Sequence, residues 1–125
     1  YDKNYDFSFS GLKTSVLYYL RDNPRTNKAD IATSFQQAAV EVLVKKTVRA
    51  AKEFKAKSIM LSGGVAANKL LRREMKEEAR KMGLKFFVPH FDYNTDNAVM
   101  IAAAGYFAYL RKKKYKLSAQ GNLNI

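Results

Sequence analysis

The chain has 125 residues, which suffices for one folded domain or for part of one. Its hydrophobic content of 47%, with 8 Tyr and 8 Phe, is typical of a globular unit and excludes a disordered chain. Cysteine is absent, which excludes disulfides and thiolate metal sites, and no apolar run reaches the roughly 18 residues of a membrane span. We therefore expect a cytoplasmic protein with no membrane partner.

The charge balance is strongly basic. Lys and Arg number 23 against 11 Asp and Glu, which gives a formal net charge of +12 at pH 7. Such an excess attracts polyanions through electrostatic steering and counterion release, so a nucleic acid is the first candidate partner. A lysine-rich surface that serves solubility alone is the alternative.

The first half of the chain is predicted to be helical. Residues 1–5 lack an initiator Met, a helix cap and any periodicity, and we expect the sequence to be a fragment of a longer protein. A first helix is predicted over about 11–21 and ends before Pro24, which cannot continue it. A second helix is predicted from its N-cap Asn27 to about residue 55. Its two apolar stripes predict burial on two sides.

The second half alternates between strands and helices. Strands are predicted over 58–62 and 85–89, and helices over about 66–81 and 98–111, with Gly83 as a C-terminal cap. This order predicts an α/β fold with few strands, several helices and a parallel strand pair. Two strands make a poor sheet, so further strands are expected upstream or from a partner chain.

A glycine pair lies at the junction of the first predicted strand and the helix that follows. At such a junction, Gly63 and Gly64 let backbone N–H groups approach a phosphate, and the helix N-terminus adds a favourable field. A plain tight turn is the alternative. Asn68 falls in the first predicted helical turn, where its amide can reach a ligand or bond its own backbone.

A second polar junction precedes the last predicted helix. Thr95 and Asp96 follow a strand on the same carboxyl-terminal edge, so the two junctions are expected to converge on one crevice. The alternative is local, with Thr95 as the cap and Asp96 complementing the helix dipole. His90 is the only histidine, and the sequence offers no second His or Cys to complete a metal site with it.

The segment 7–14 (FSFSGLKT) alternates aromatic and hydroxyl residues before a glycine. One interpretation is an edge strand with a tight bend. The other places Lys13 and nearby hydroxyls toward a phosphate or an RNA backbone. The residues alone favour the first interpretation.

Three segments, 7–14, 62–68 (SGGVAAN) and 95–102 (TDNAVMIA), resemble in order and separation the signatures of the TsaD-type tRNA threonylcarbamoyladenosine transferases. The resemblance implies an actin/Hsp70-like (ASKHA, RNase H-like) fold, of which residues 1–125 would be a single C-terminal lobe. It implies transfer of a threonylcarbamoyl group from its adenylate to N6 of adenosine 37 in tRNAs that read ANN codons.

The resemblance also implies roles for individual residues. Asn68 would bind the adenine nucleotide or threonylcarbamoyl-adenylate, with Gly63 and Gly64 on the phosphate side. Asp96 would be a ligand of a divalent metal, with iron expected first and zinc or magnesium as alternatives. The implied partners are tRNA and other proteins of the t6A synthesis machinery.

The family also carries an HxxxH histidine pair in an N-terminal lobe, and this sequence contains no such pair. We therefore expect the fragment alone to be inactive. A non-catalytic basic module that binds nucleic acid or protein is the alternative function. The metalloendopeptidase activity of the older glycoprotease labels ranks below it, and a homodimer that buries the two-sided helix is a further expectation.

Overall fold

A computed structural model of the chain describes residues 4–113. They fall into two compact units, one up to Asn94 and one from Thr95 onward. The helices and strands follow the predicted order: α1 (Ser10–Asp22), α2 (Lys28–Glu53), β1 (Ser58–Met60), α3 (Lys69–Lys81), β2 (Lys85–Phe87) and α4 (Ala98–Leu110). Two short 3-10 helices, Gly64–Ala67 and Phe91–Tyr93, lie before α3 and α4.

The segment before α1 is irregular, so the edge strand considered for residues 7–14 is wrong. It lies along α2, where the Arg49 guanidinium stacks 4.7 Å from the centre of the Tyr5 ring. The Tyr5 hydroxyl donates a hydrogen bond to Glu53, and this bond is the main reason that the pKa of Tyr5 is raised. Polar contacts to α2 thus hold this segment in place of a strand ladder.

Helix α2 begins where its cap residue predicts. The Asn27 side chain accepts a hydrogen bond from the Ala29 N–H at 3.0 Å, which satisfies one of the free donors of the first turn. Val40 and Val44 are buried on one side of the helix. The opposite stripe is at most half-buried, and Phe35 on it stays 38% exposed. Within the described residues, α2 is therefore fully buried on one side only.

The sheet is a parallel pair, as predicted, but each strand has only three residues. Ile59 pairs with Phe86, and both side chains face the helices. Met60 pairs with Phe87 on the opposite face, where they are 75% and 49% exposed. This arrangement confirms an α/β fold, and the actin/Hsp70-like lobe stays a prediction.

The core lies between α2, α3 and β1. Its best-buried large side chain is Leu71, which is 1% exposed. Burying side chains of this kind contributes about 1.5–3 kcal/mol each, which makes this cluster the main source of stability in the first unit. The cluster consists of Val40, Val44, Ala51, Ile59, Leu71, Met75 and Ala79.

Helices α2, α3 and α4 end in the same hydrogen-bonded motif. In each, the second N–H after the cap donates to the carbonyl five residues back, a Schellman arrangement that needs a left-handed residue between them. These bonds run from Ala56 to Ala51, from Leu84 to Ala79 and from Lys113 to Ala108. The left-handed residues are Lys55 (φ 50°), Gly83 (φ 67°) and Lys112 (φ 52°), which confirms the predicted role of Gly83.

Helix α4 is apolar around its circumference. Its large apolar side chains are exposed: Val99, Met100, Ile101, Tyr106, Phe107, Tyr109 and Leu110. Across residues 4–113, however, no helix combines the length and hydropathy that crossing a bilayer demands.

Candidate functional site

The glycine turn follows β1 directly and leads into α3. Gly63 has φ 88° and ψ 172°, a backbone conformation that is essentially restricted to glycine. Its carbonyl accepts a hydrogen bond from the Ala66 N–H at 2.9 Å, which closes the 3-10 helix Gly64–Ala67. Both Gly63 and Gly64 are exposed, and a Cβ added to either would meet no atom within 4 Å. The turn therefore leaves its backbone open to a ligand.

Asn68 is the N-cap of α3 rather than part of its first turn, because the 3-10 helix takes the residues predicted to open α3. Its side-chain oxygen accepts a hydrogen bond from the Leu71 N–H at 3.0 Å. Its amide nitrogen donates to the Gln36 side-chain oxygen, also at 3.0 Å. An asparagine amide has two donors and two acceptor lone pairs, so each end keeps capacity for a ligand.

Gln36 belongs to the candidate site, although it was not predicted from the sequence. It is exposed on α2 and joins that helix to the start of α3 through Asn68. The two residues are 32 positions apart, so their contact depends on how the two helices pack. No local pattern marks Gln36 as different from its neighbour Gln37.

Arg72 connects the glycine turn to the segment that follows β2. Its Nε donates to the carbonyl of Ala66, and a terminal nitrogen donates to the Asn94 side-chain oxygen at 3.1 Å. The guanidinium lies 4.0 Å from the centre of the Phe91 ring. Asn94 is 4% exposed, and its amide nitrogen donates to the Phe91 carbonyl at 2.9 Å. Arg72 therefore holds two loops of the first unit in one arrangement.

At the second junction, helix α4 is capped by Asn97, so the predicted Thr95 cap is wrong. The Asn97 oxygen accepts from the Met100 N–H at 2.9 Å, and its nitrogen donates to the Thr95 carbonyl at 2.9 Å. Asn97 is extended, with φ −148° and ψ 150°, as an N-cap requires. Asp96 lies immediately before this cap and is exposed.

The described residues do not complete a metal site. Within residues 4–113, no three His, Asp or Glu side chains group closely enough to hold an ion. His90 pairs with Asp92 at 3.1 Å, but both side chains are largely exposed and no third ligand joins them. Asp96 provides one carboxylate, a ligand type that suits iron, zinc or magnesium. The predicted metal therefore needs ligands from outside these residues.

The profile of the tRNA N6-adenosine threonylcarbamoyltransferase family, TsaD, matches residues 1–103. The chain belongs to the TsaD family. A tRNA N6-adenosine threonylcarbamoyltransferase of Thermosipho melanesiensis is 45% identical over 123 residues, which are 98% of this chain and 38% of the relative. The corresponding protein of Moorella thermoacetica is 48% identical over 121 residues, covering 94% of this chain and 35% of the relative. The chain thus spans little more than a third of such relatives.

The range matched to the TsaD family takes in every predicted site residue. Lys13 lies on α1, exposed, beside a groove of about 400 Å³ between α1 and α2 that Lys28 also borders. The groove is otherwise apolar, so it presents two cations above an apolar floor. The predicted contact of Lys13 with RNA or phosphate stays a prediction.

Proposed function

We propose that this chain is the C-terminal, nucleotide-binding part of a tRNA N6-adenosine threonylcarbamoyltransferase. The observation that carries the proposal is the open Gly63–Gly64 turn with Asn68 at the start of α3, in a chain of the TsaD family. The substrates would be threonylcarbamoyl-adenylate and tRNAs that read ANN codons, with modification at adenosine 37. Other proteins of the t6A synthesis machinery would be its partners.

The glycine turn would bind the phosphate of the adenylate. The first N–H groups of a helix have no internal acceptor, so those of Gly64 and Val65 are available to an anion, whereas that of Ala66 is bonded to Gly63. In the transfer, N6 of adenosine attacks the carbamoyl carbon and loses a proton, while the bond from that carbon to the phosphate oxygen breaks and AMP leaves. Backbone donors fixed at the turn stabilise the charge that develops on the leaving phosphate.

Asn68 would bind the nucleotide with the hydrogen-bonding capacity left by Leu71 and Gln36. Gln36 restricts the Asn68 amide to one orientation, which reduces the ordering cost of binding. Asp96 would provide one ligand of a divalent metal whose other ligands lie outside the described residues. Such a metal polarises a carbonyl or holds phosphate oxygens when bound.

The test is a transfer assay with the full native gene product, threonylcarbamoyl-adenylate and an unmodified tRNA transcript. Asn68→Asp keeps a capping oxygen but removes the amide donor and adds a negative charge. We expect the KM for the adenylate to rise by about tenfold or more, equivalent to about 1.4 kcal/mol. Asn27→Asp, the same change at the cap of α2, is the matched control and should leave KM unchanged. A native product that transfers nothing to tRNA even together with its proposed partner proteins would overturn the proposal.

The second candidate function is a basic module that binds RNA or protein without chemistry. The net charge of +12 and the incomplete set of metal ligands among the described residues favour it. Nucleotide binding that Asn68→Asp abolishes would support the transferase, whereas salt-sensitive RNA binding without any nucleotide effect would support the module. The isolated 125-residue chain is expected to be inactive under either function.

A further inference from the structure

Most of the cations of α3 lie along one side of the helix. Five cations form this set, and the later four follow the first by three, four, seven and eleven residues. This spacing places all five on one side of the helix within an arc of roughly 100°. At about 1.5 Å per residue they extend over roughly 16 Å. This basic stripe consists of Lys69, Arg72, Arg73, Lys76 and Arg80.

The carboxylates of α3 lie on a different side. Glu74, Glu77 and Glu78 border a groove of about 600 Å³ between α3 and α2, which Arg73 and Lys81 also line. Two of them form ion pairs within the helix, Glu77 with Arg80 and Glu78 with Lys81, both at 2.7 Å. The Arg80 guanidinium donates a hydrogen bond to Glu77 and thereby lowers the pKa of that carboxyl. Arg80 is thus partly neutralised at the far end of the stripe.

The other four cations of the basic stripe form no ion pair within residues 4–113, although Arg73 borders the groove of the glutamates. Arg72 contacts neutral groups, namely the Ala66 carbonyl, the Asn94 side chain and the Phe91 ring. Lys69, Arg73 and Lys76 belong to none of the ion pairs found in this part of the chain. Uncompensated cations on one helix face attract an anion more strongly than the same number in alternating pairs.

Beside the stripe lies a cavity of about 520 Å³ whose charged lining is entirely positive. Arg72, Arg73 and Lys76 form its α3 side, and Phe86, Phe87 and Val88 form its β2 side. Phe87 is 49% exposed on the face of the sheet away from the helices, so an RNA strand that leaves the cavity past β2 can stack on its ring. Cations that follow a backbone, combined with an exposed aromatic ring, are typical of surfaces that bind single-stranded nucleic acid.

We propose that the basic stripe and Phe87 form an RNA-binding surface that leads to the glycine turn. The stripe begins at Lys69, next to Asn68, so an RNA strand bound along α3 has one end at the proposed nucleotide site. The cations contact phosphates without selecting a sequence, and Phe87 stacks on an unpaired base. The inference rests on the proposed function in one respect only, that the RNA is the tRNA substrate.

The experiment measures the affinity of the full native gene product for an unmodified tRNA transcript by fluorescence anisotropy at several salt concentrations. Each phosphate contact contributes about 0.7 to 0.9 to the slope of log affinity against log salt. The double variant Arg73→Gln/Lys76→Gln should therefore reduce that slope by about 1.4 to 1.8. Lys52→Gln/Lys57→Gln removes the same charge at the opposite end of β1 and should leave the slope unchanged.

A third variant tests the aromatic contact. Phe87→Leu keeps an apolar side chain on the exposed face but removes the ring, and should weaken tRNA binding by roughly tenfold, within the range found for loss of a stacked base. Its salt slope should stay that of the native protein, because no charge is lost. Met60→Leu on the neighbouring strand is the control and should bind like the native protein.

The outcomes separate this inference from the proposed function. Equal slopes for the native protein and the Arg73→Gln/Lys76→Gln variant overturn the inference, even if transfer to tRNA is observed. An equal reduction of the salt slope in the Arg73→Gln/Lys76→Gln variant and in the Lys52→Gln/Lys57→Gln control overturns it too, because it indicates a charge effect that is not localised to the basic stripe. A reduced slope without any transfer to tRNA supports the RNA surface and counts against the transferase.

Discussion

Gly63 and Gly64 are adjacent, but only Gly63 has a backbone conformation that disfavours a side chain. Gly63 has φ 88°, where a side chain is strained, whereas Gly64 has no such conformation. A methyl group added at either position would meet no atom within 4 Å, so a steric clash does not distinguish them. Any difference between alanine variants at the two positions therefore measures backbone strain.

We expect Gly63→Ala to lower the free energy of unfolding by about 1–3 kcal/mol, the usual cost of a side chain in a conformation restricted to glycine. Gly64→Ala should change it by less than about 0.5 kcal/mol. Urea unfolding of both variants measures the difference. Equal effects at the two positions would contradict the strained turn.

Asn68 combines a structural role with its proposed binding role, and two substitutions separate them. Asn68→Ala removes the cap of α3 and should cost about 1 kcal/mol of stability. Asn68→Asp keeps a capping oxygen and loses only the exposed hydrogen bond to Gln36, so its free energy of unfolding should stay within about 0.5 kcal/mol of native, although its nucleotide affinity falls. Thermal and urea unfolding of the pair provide the measurement, and comparable destabilisation by both changes would argue against the cap.

At the scale of elements, two of the three Schellman motifs at helix ends carry a lysine at the left-handed position, where glycine is the most favourable residue. The left-handed position after α3 is Gly83, but the equivalent positions after α2 and α4 are Lys55 and Lys112. A side chain in that conformation costs roughly 1 kcal/mol relative to glycine. The hydrogen bonds of the motif offset this cost.

Lys55→Gly should therefore raise the free energy of unfolding by up to about 1 kcal/mol, reduced by the greater freedom of glycine in the unfolded chain. Gly83→Ala is the reciprocal change and should lower it by about 1 kcal/mol. Urea denaturation curves test both. A destabilised Lys55→Gly variant would show that the lysine side chain has a role of its own.

The contacts of Arg72 give a further prediction for the link between elements. Arg72→Ala leaves the buried oxygen of Asn94 without its donor and should cost about 1–3 kcal/mol. Hydrogen exchange in residues 90–94 should speed up at the same time. Arg73→Ala is the adjacent control, because Arg73 is exposed and forms no ion pair in the described chain. Its free energy of unfolding should stay within about 0.5 kcal/mol of the native value.

Local signals in the sequence predicted the elements well. Asn27 fixed the start of α2, and Gly83 followed the end of α3. The two apolar stripes of α2 predicted burial on two sides, but only one of them is fully buried in the described residues. The second strand ends at Phe87, short of the predicted 89, because β1 offers only three pairing partners and Pro89 has no N–H to donate.

The contacts of the candidate site were less predictable. Thr95, Asp96 and Asn97 can each cap a helix, so composition alone could not select Asn97. The Gln36–Asn68 and Arg72–Asn94 hydrogen bonds join residues 32 and 22 positions apart, which no local pattern encodes. The sequence indicated candidate residues for binding, and packing determined which neighbours orient their side chains.

For the molecule as a whole, two opposing forces govern association of the isolated chain. Exposed apolar side chains on α4 and on the outer face of the sheet favour self-association. The net charge of +12 opposes it by repulsion between copies, and salt screens that repulsion.

We therefore expect the isolated 125-residue chain to self-associate more strongly as salt is raised, with light scattering as the measurement. Ile101→Lys/Tyr109→Lys places two charges on α4 and should shift the equilibrium toward monomer. A chain that is monomeric at every salt concentration would contradict the expected homodimer. The opposite salt response would identify charge pairing as the force between copies.

The core cluster also has a consequence for the order of events during synthesis. Its buried residues lie between Val40 and Ala79, and β2 ends at Phe87, so a ribosome completes the packed part of the first unit before it makes α4. Domains generally fold as units in the direction of synthesis, so this core can condense before α4 has left the ribosome. The most apolar helix of the described chain then emerges after the core residues have buried their own side chains, which leaves fewer exposed apolar groups for it to associate with wrongly.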